Sequence, residues 1–132
     1  MTTASQALVA TAILAVALIA PYSIAMLRHW GIRAVLGNRD KPAPLPKWAI
    51  RSIRAHRNML ENLAPFATIV LAAQVAGVSS EHTVWGVTVF FWARVAHAVT
   101  YIAGIPYLRT AAFAVSLVAM FDLARLAASA GG

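Results

Sequence analysis

The chain has 132 residues, of which 61% are apolar and only 11% are charged, with a formal net charge of +7. Soluble domains carry about 25% charged residues, so this composition favours an integral membrane protein over a soluble one. Because the sequence has no cysteine, disulfides, thiolate metal ligands and a cysteine nucleophile are excluded.

The length fits a single domain, residues 1–132, with four membrane-spanning helices of about 20 residues each. The first predicted span covers about residues 5–28. Residues 1–6 lack the Lys or Arg of a signal peptide, and the apolar run that follows is longer than an h-region. We therefore expect a retained span rather than a cleaved leader.

The segment 31–47 contains three prolines, a density that prevents a helix, and it is predicted to be the one long loop. The second span, about 48–78, is predicted to be one long helix that projects beyond the bilayer and bends at Pro65. The third and fourth spans are expected at about 83–103 and 107–128. The short connections between spans make neighbouring helices antiparallel.

The distribution of basic residues predicts the orientation in the membrane. The first loop contains Arg33, Arg39, Lys41 and Lys47, whereas the second loop contains Glu81 and no basic residue. Cytoplasmic loops are rich in Lys and Arg, so the first and third loops are expected in the cytoplasm and both termini on the opposite side.

Two polar stripes stand out at helical spacing. The second span places Arg51, Arg54, Asn58 and Glu61 on one face with Arg57 beside it, and the third span aligns Arg94, His97 and Tyr101. Arg28 ends the first span and Arg109 begins the fourth at the same predicted depth. The four helices thus bring cationic groups to one level.

An Arg at the centre of a bilayer costs about 2.5–3.5 kcal/mol on the most lenient scale. Glu61 is the only acidic residue in the half of the spans that contains the pocket, so it cannot neutralise the surrounding cations. The surplus favours a pocket for a small anion with several charges and an amine that Glu61 can hold. Neither a metal site nor a glycine-rich phosphate loop is predicted, because the spacing of the His residues and carboxylates does not match either.

Simpler interpretations remain open for individual residues. Arg57 can be a surface partner of Glu61, His97 can be an interhelical hydrogen-bonding residue, and Arg51 can contact lipid headgroups. Asp122 and Arg125 have the spacing of a local ion pair. A channel or transporter also contains intramembrane charge, although the chain shows no internal repeat.

Residues 51–66 read R-S-I-R-A-H-R-N-M-L-E-N-L-A-P-F, which closely resembles the second-helix signature of the MAPEG family, the membrane-associated proteins in eicosanoid and glutathione metabolism. Arg94-Val95-Ala96-His97, followed by Tyr101 and Arg109, resembles the pattern of the third and early fourth helices. The branch that looks nearest is the glutathione-dependent one, which contains microsomal glutathione transferases and the prostaglandin E synthase.

The resemblance implies an all-α bundle of four antiparallel transmembrane helices, assembled as a homotrimer. It also implies glutathione as co-substrate, bound between neighbouring subunits toward the cytoplasm. No nucleic-acid partner is expected, because most of the excess positive charge lies in residues 28–57, beside apolar spans, where it sets topology. By position, Arg109 is the catalytic residue that stabilises the thiolate. The residues implied to bind glutathione are Arg28, Arg54, Arg57, Asn58, Glu61, His97 and Tyr101.

The implied activity is that of a transferase or peroxidase acting on apolar electrophiles or lipid hydroperoxides that arrive from the bilayer. Thr110 and Phe113 stand where the prostaglandin synthase has serine and tyrosine, so prostaglandin isomerisation is not implied. Two alternatives remain. The chain can be a non-enzymatic lipid-binding or scaffold member of the family, or it can use a thiol other than glutathione.

Overall fold

A computed structural model of the protein describes residues 3–40, 42–78 and 80–129, and within these ranges it contains helices and no strand. The membrane bundle expected from the sequence is therefore confirmed as all-α. In chain order the helices are α1 Thr3–Ala17, α2 Ile19–Leu36, α3 Lys47–Val75, α4 Glu81–Ala103 and α5 Pro106–Ser129.

The first predicted span consists of two consecutive helices, α1 and α2, separated at Leu18. Leu18 itself has helical dihedral angles, so the interruption is slight. Pro21 explains it, because proline has no N–H to donate to the carbonyl of Ala17 one turn earlier. Helix α2 also continues to Leu36, which corrects the expectation of a loop from residue 31. Gly31, with φ 75° and ψ 164°, is not helical, so a kink there separates α2 into two helical parts, and the part after Gly31 runs to Leu36.

Three segments are long and apolar enough to cross a membrane by length and composition: Thr3–Leu36, Glu81–Ala103 and Pro106–Ser129. Helix α3 is not among them, because polar residues such as Asn58, Glu61 and Asn62 interrupt its apolar part. It is nevertheless continuous for 29 residues, with Pro65 inside it.

The face that α3 turns toward the bundle is lined by small and apolar residues. Buried positions recur at intervals of three and four, as expected for one side of a helix, and they are Ala49, Ser52, Ala55, Met59, Asn62, Phe66, Val70 and Ala73. Arg54, Arg57 and Glu61 lie on the other side and are exposed. These three charged side chains therefore point away from the helices of their own chain.

The core lies where α1, α3, α4 and α5 meet. The rings of Phe66 and Phe90 stack at 3.8 Å with an angle of 9° between their planes, and Val87 and Leu123 pack in the same cluster. Large apolar side chains on the outer faces of the spans, including Val118, remain exposed. Those outer faces suit contact with lipid, where association of helices depends on close packing and hydrogen bonds.

The turn between α4 and α5 is tied to α3 by Arg51. Gly104 ends α4 in the left-handed conformation, with φ 82°, and the N–H of Ile105 donates to the carbonyl of Thr100 at 2.9 Å. Together with the bond from the Gly104 N–H to the carbonyl of Tyr101 at 3.1 Å, it forms a Schellman motif. Arg51 Nε donates to the carbonyl of Ile102 at 2.9 Å. Arg51, interpreted from the sequence as a headgroup contact, thus satisfies a carbonyl at the end of α4 and holds the turn that leads to Arg109.

We expect Gly104→Ala to lower the thermal unfolding midpoint of the detergent-solubilised protein more than Gly77→Ala does. Both glycines have positive φ at the end of a helix, so both substitutions incur backbone strain of about 1–2 kcal/mol. Only at Gly104 does an added Cβ also meet the Arg51 guanidinium, 3.0 Å from Cζ, whereas nothing lies within 4 Å at Gly77. Equal losses in the two variants would show that the contact with Arg51 is unimportant.

Candidate functional site

A pocket of about 200 Å³ lies between α3, α4 and the first turns of α5. Its lining includes four of the residues predicted from the sequence, together with two that were noted only as departures from the prostaglandin synthase. The six are Asn58, His97, Tyr101, Arg109, Thr110 and Phe113. The tight connection between α4 and α5 produces this arrangement, because it returns the start of α5 beside the end of α4.

Arg94 lies beside this pocket, with only 1% of its surface exposed. Its Nη2 donates to Asn58 Oδ1 at 2.8 Å, and its Nε lies 3.5 Å from the sulfur of Met59. Nη1 is buried with no hydrogen-bond partner. Among the described residues the ion pairs are Arg57–Glu61 and Arg125–Asp122, so no carboxylate balances Arg94.

A buried cation that is held only by neutral groups has a strong field in a medium of low dielectric constant. Arg94 therefore favours negative charge in the adjoining pocket. The sequence pattern included Arg94 in the polar stripe, but it assigned the residue no role, because spacing alone does not show which neighbour an arginine reaches.

His97 is packed between two aromatic rings and is 3% exposed. Its ring meets Tyr101 edge-on, with 5.4 Å between centroids, and lies 5.9 Å from Phe113. Its Nδ1 is buried and makes no hydrogen bond within the described part of the chain. Since buried polar atoms in proteins nearly always have a partner, this nitrogen marks a place where a ligand or water can bind.

Arg109 is held by an aromatic face rather than by an acid. Its Cζ lies 4.6 Å from the centroid of the Tyr101 ring, in the range of a cation–π contact. Such a contact orients the guanidinium and leaves its charge unneutralised. The pocket is thus bordered by two cations, Arg94 and Arg109, and contains no acidic residue in its lining.

Comparison with known proteins identifies the family of this chain. The model of the MAPEG family matches residues 4–129, nearly the entire chain. The chain belongs to the MAPEG family. No match was found among curated proteins. Membership confirms the resemblance noted in the sequence and supports an integral membrane protein with a glutathione-related transferase, peroxidase or related function in general.

The other four predicted binding residues of this MAPEG protein do not line the pocket: Arg28, Arg54, Arg57 and Glu61. All four are exposed. Arg57 Nε lies 3.3 Å from Glu61 Oε1, and the two side chains are 82% and 59% exposed. Surface ion pairs of this kind contribute little to stability, so neither side chain is strongly held in place.

The exposed stripe nevertheless adjoins the pocket. Arg54 lies one turn before Asn58 on α3 and Glu61 lies about one turn after it, so the three share one side of the helix. Asn58 stands at the boundary, since it lines the pocket and bonds Arg94. The residues that the sequence placed in one site are therefore divided into a part that lines the pocket and an open part that is exposed, and the two parts meet at Asn58.

Two further polar contacts lie outside this region. Asp122 and Arg125 form the local ion pair expected from their spacing, with 2.8 Å between Oδ1 and Nη2. Tyr22 Oη and His56 Nδ1 lie 3.0 Å apart in a hydrogen bond that links α2 to α3. The sequence did not indicate this second pair, because its members are 34 residues apart.

Proposed function

We propose that this MAPEG protein is a glutathione-dependent transferase or peroxidase that acts on apolar electrophiles or lipid hydroperoxides. The observation that carries the proposal is the pocket bordered by Arg94 and Arg109, whose lining contains no carboxylate to neutralise them. An anion that enters such a pocket gains more than it does in water.

The open part of the site suits the remaining groups of glutathione, which has two carboxylates and one amine. We propose that Arg54 and Arg57 bind carboxylate, with Arg28 contributing from α2, and that Glu61 accepts hydrogen bonds from the amine. His97 and Tyr101 line the pocket, where the thiol end enters. Guanidinium groups bind carboxylates in a forked geometry, which suits these arginines to the two carboxylates of the tripeptide.

Arg109 is proposed to stabilise the thiolate. A free thiol has a pKa of about 8.5, so only a few per cent is ionised at neutral pH. A guanidinium close to the sulfur favours the ionised form, which is the nucleophile. The cation–π contact with Tyr101 supports this role, because it orients the charge of Arg109 without neutralising it.

Two outcomes follow from attack by the thiolate. With a carbon electrophile, a carbon–sulfur bond forms as the leaving group departs with its electron pair. With a hydroperoxide, sulfur takes the terminal oxygen and the O–O bond breaks to give an alkoxide, which is then protonated. The sulfenic acid of glutathione reacts with a second glutathione to form the disulfide and water.

We propose a homotrimer, as the family resemblance implies, and the open part of the site supports a neighbouring subunit at this face. Arg54, Arg57 and Glu61 point away from their own bundle, and exposing charged groups to lipid is costly. A neighbouring subunit that covers this face of α3 removes that cost and encloses the ligand. We propose that the site lies toward the cytoplasm and both termini on the opposite side. Light scattering of the detergent-solubilised protein should give three times the mass of the chain.

A non-enzymatic lipid-binding protein is the second candidate. A groove of about 510 Å³ runs along the outside of α4 and α5, and most of its lining is apolar, including Trp85, Val89 and Val118. A lipid chain fits such a surface. The ultraviolet absorbance of the glutathione thiolate, measured with the protein present, separates the two candidates, because a lipid-binding scaffold is not expected to promote ionisation of glutathione.

The direct test is titration calorimetry with glutathione, in a mild detergent that preserves the assembly. We expect saturable binding with a dissociation constant between about 1 μM and 1 mM, the usual range for enzyme substrates. A small uncharged thiol such as 2-mercaptoethanol is the control and should give no saturable heat. If glutathione gives no saturable heat with the protein, and its ultraviolet thiolate absorbance does not increase on binding, the proposal is wrong.

A further inference from the structure

We propose that Arg94 is a positioning residue that holds the Asn58 carboxamide in one orientation, so that the pocket offers an N–H donor there and selects an acceptor oxygen of the ligand. The inference rests on the proposed function for the identity of that ligand. The contact between the Arg94 and Asn58 side chains is observed in the structure and does not depend on that function.

The chemistry of arginine decides which way the carboxamide faces. A guanidinium has five N–H donors and no acceptor, so it can bond only the oxygen of an asparagine side chain. The contact of 2.8 Å between Arg94 Nη2 and Asn58 therefore belongs to Oδ1. Since Asn58 also lines the pocket, its Nδ2 is the side-chain group left for a ligand.

The surroundings of Arg94 prevent the carboxamide from turning over. Arg94 is 1% exposed, and its Nε already faces the sulfur of Met59, while Nη1 has no partner. Rotation of the carboxamide would set the amide N–H groups against those of the guanidinium and leave a second buried donor unsatisfied. We expect this to disfavour the turned orientation by tenfold or more. Asn62 Nδ2 also stabilises this turn of α3, because it donates to the backbone carbonyl of Asn58 at 2.8 Å.

The consequence is that a peptide ligand can bind along α3 in only one orientation. Asn58 presents a donor, and Glu61, three residues later on the same side of the helix, presents an acceptor. A peptide ligand then places a carbonyl or carboxylate oxygen at Asn58 and its ammonium group at Glu61. The reversed orientation would place an N–H donor of the ligand against the Asn58 Nδ2 donor and a carboxylate of the ligand against Glu61. Arg94 therefore determines the direction in which the ligand binds without contacting it.

The first test measures stability and needs no ligand. Asn58→Asp replaces the neutral oxygen beside Arg94 with a carboxylate, so we expect it to raise the thermal unfolding midpoint when Arg94 is present. In the Arg94→Met background the same substitution buries an unpaired charge, and the midpoint should fall. An effect of the same sign and size in both backgrounds would overturn the proposal.

The second test measures glutathione affinity in a double-mutant cycle. We expect Arg94→Met to raise the dissociation constant about tenfold, because the amide is no longer held. In the Asn58→Ala background the same change should raise the constant by clearly less, because only the charge of Arg94 is then lost and no held amide. An equal loss in both backgrounds would mean that Arg94 acts through general structure. Arg125→Met, which removes a cation far from the pocket, is the control.

Arg94→Lys covers the case in which Arg94→Met does not fold. Lysine retains a donor and a charge, so part of the affinity should return, and a larger part when Asn58 is present. If the wild-type protein gives no heat with glutathione, the proposed function fails. The stability cycle then still decides whether Arg94 holds Asn58.

Discussion

Arg109→Ala is expected to reduce turnover with glutathione by about 10- to 100-fold at pH 7, because the neighbouring guanidinium no longer favours the thiolate. An adjacent cation lowers the pKa of the bound thiol, so its removal raises that pKa and moves the rise of the pH–rate profile to higher pH. The lost rate should therefore return as the pH increases. Ultraviolet difference spectra of the glutathione complex should show the same displacement.

Two variants make this result specific to Arg109. Arg125→Ala removes the same side chain from the far end of α5, where Arg125 pairs with Asp122, and should leave the pH profile unchanged. Arg109→Lys retains the charge and should keep part of the activity, although it lacks the planar group that stacks on Tyr101. A normal profile for Arg109→Ala would remove Arg109 from the proposed mechanism.

Glu61→Gln is expected to raise the dissociation constant for glutathione by about 10- to 100-fold while leaving kcat nearly unchanged. The substitution keeps the shape of the side chain and removes the charge that would receive the glutathione amine, and a hydrogen bond to a charged group is worth about 1.5–3 kcal/mol. Glu61 lies in the open part of the site, outside the lining of the pocket that contains Arg109. Its loss should therefore act on binding rather than on the sulfur.

The matched control is Glu81→Gln, the same substitution at an exposed residue in the first turn of α4. Glu81 lies at the opposite end of α4 from His97 and Tyr101 and should have no effect on glutathione affinity. The ion pair between Arg57 and Glu61 does not complicate the comparison, because both side chains are largely exposed. A fall in kcat at unchanged affinity would place Glu61 beside the reacting atoms and contradict the proposed arrangement.

Composition, hydropathy and spacing were enough to predict an all-α membrane bundle, because the membrane restricts a chain with so few charges to a small number of solutions. The motif at 51–66 was enough to predict the MAPEG family. The same spacing also showed which polar residues share a face of α3 and which share a face of α4, since the helical period alone determines this.

Periodicity does not say which face of a helix is buried. On α3 the small residues Ser52 and Ala55 pack inward, whereas Arg54 and Glu61 face outward, so the predicted site is divided between a pocket and an exposed surface. Nor could the sequence place the Arg51 guanidinium at the end of α4, where it meets a carbonyl rather than a lipid headgroup.

The cation-rich site was thus a property of the sequence, whereas its organisation was decided by tertiary structure. The count of arginines and the lack of acids to balance them can be read from the chain. The contact between Arg94 and Asn58 joins residues 36 positions apart on different helices. Such a contact depends on how α3 and α4 pack together, which the pattern within either helix does not specify.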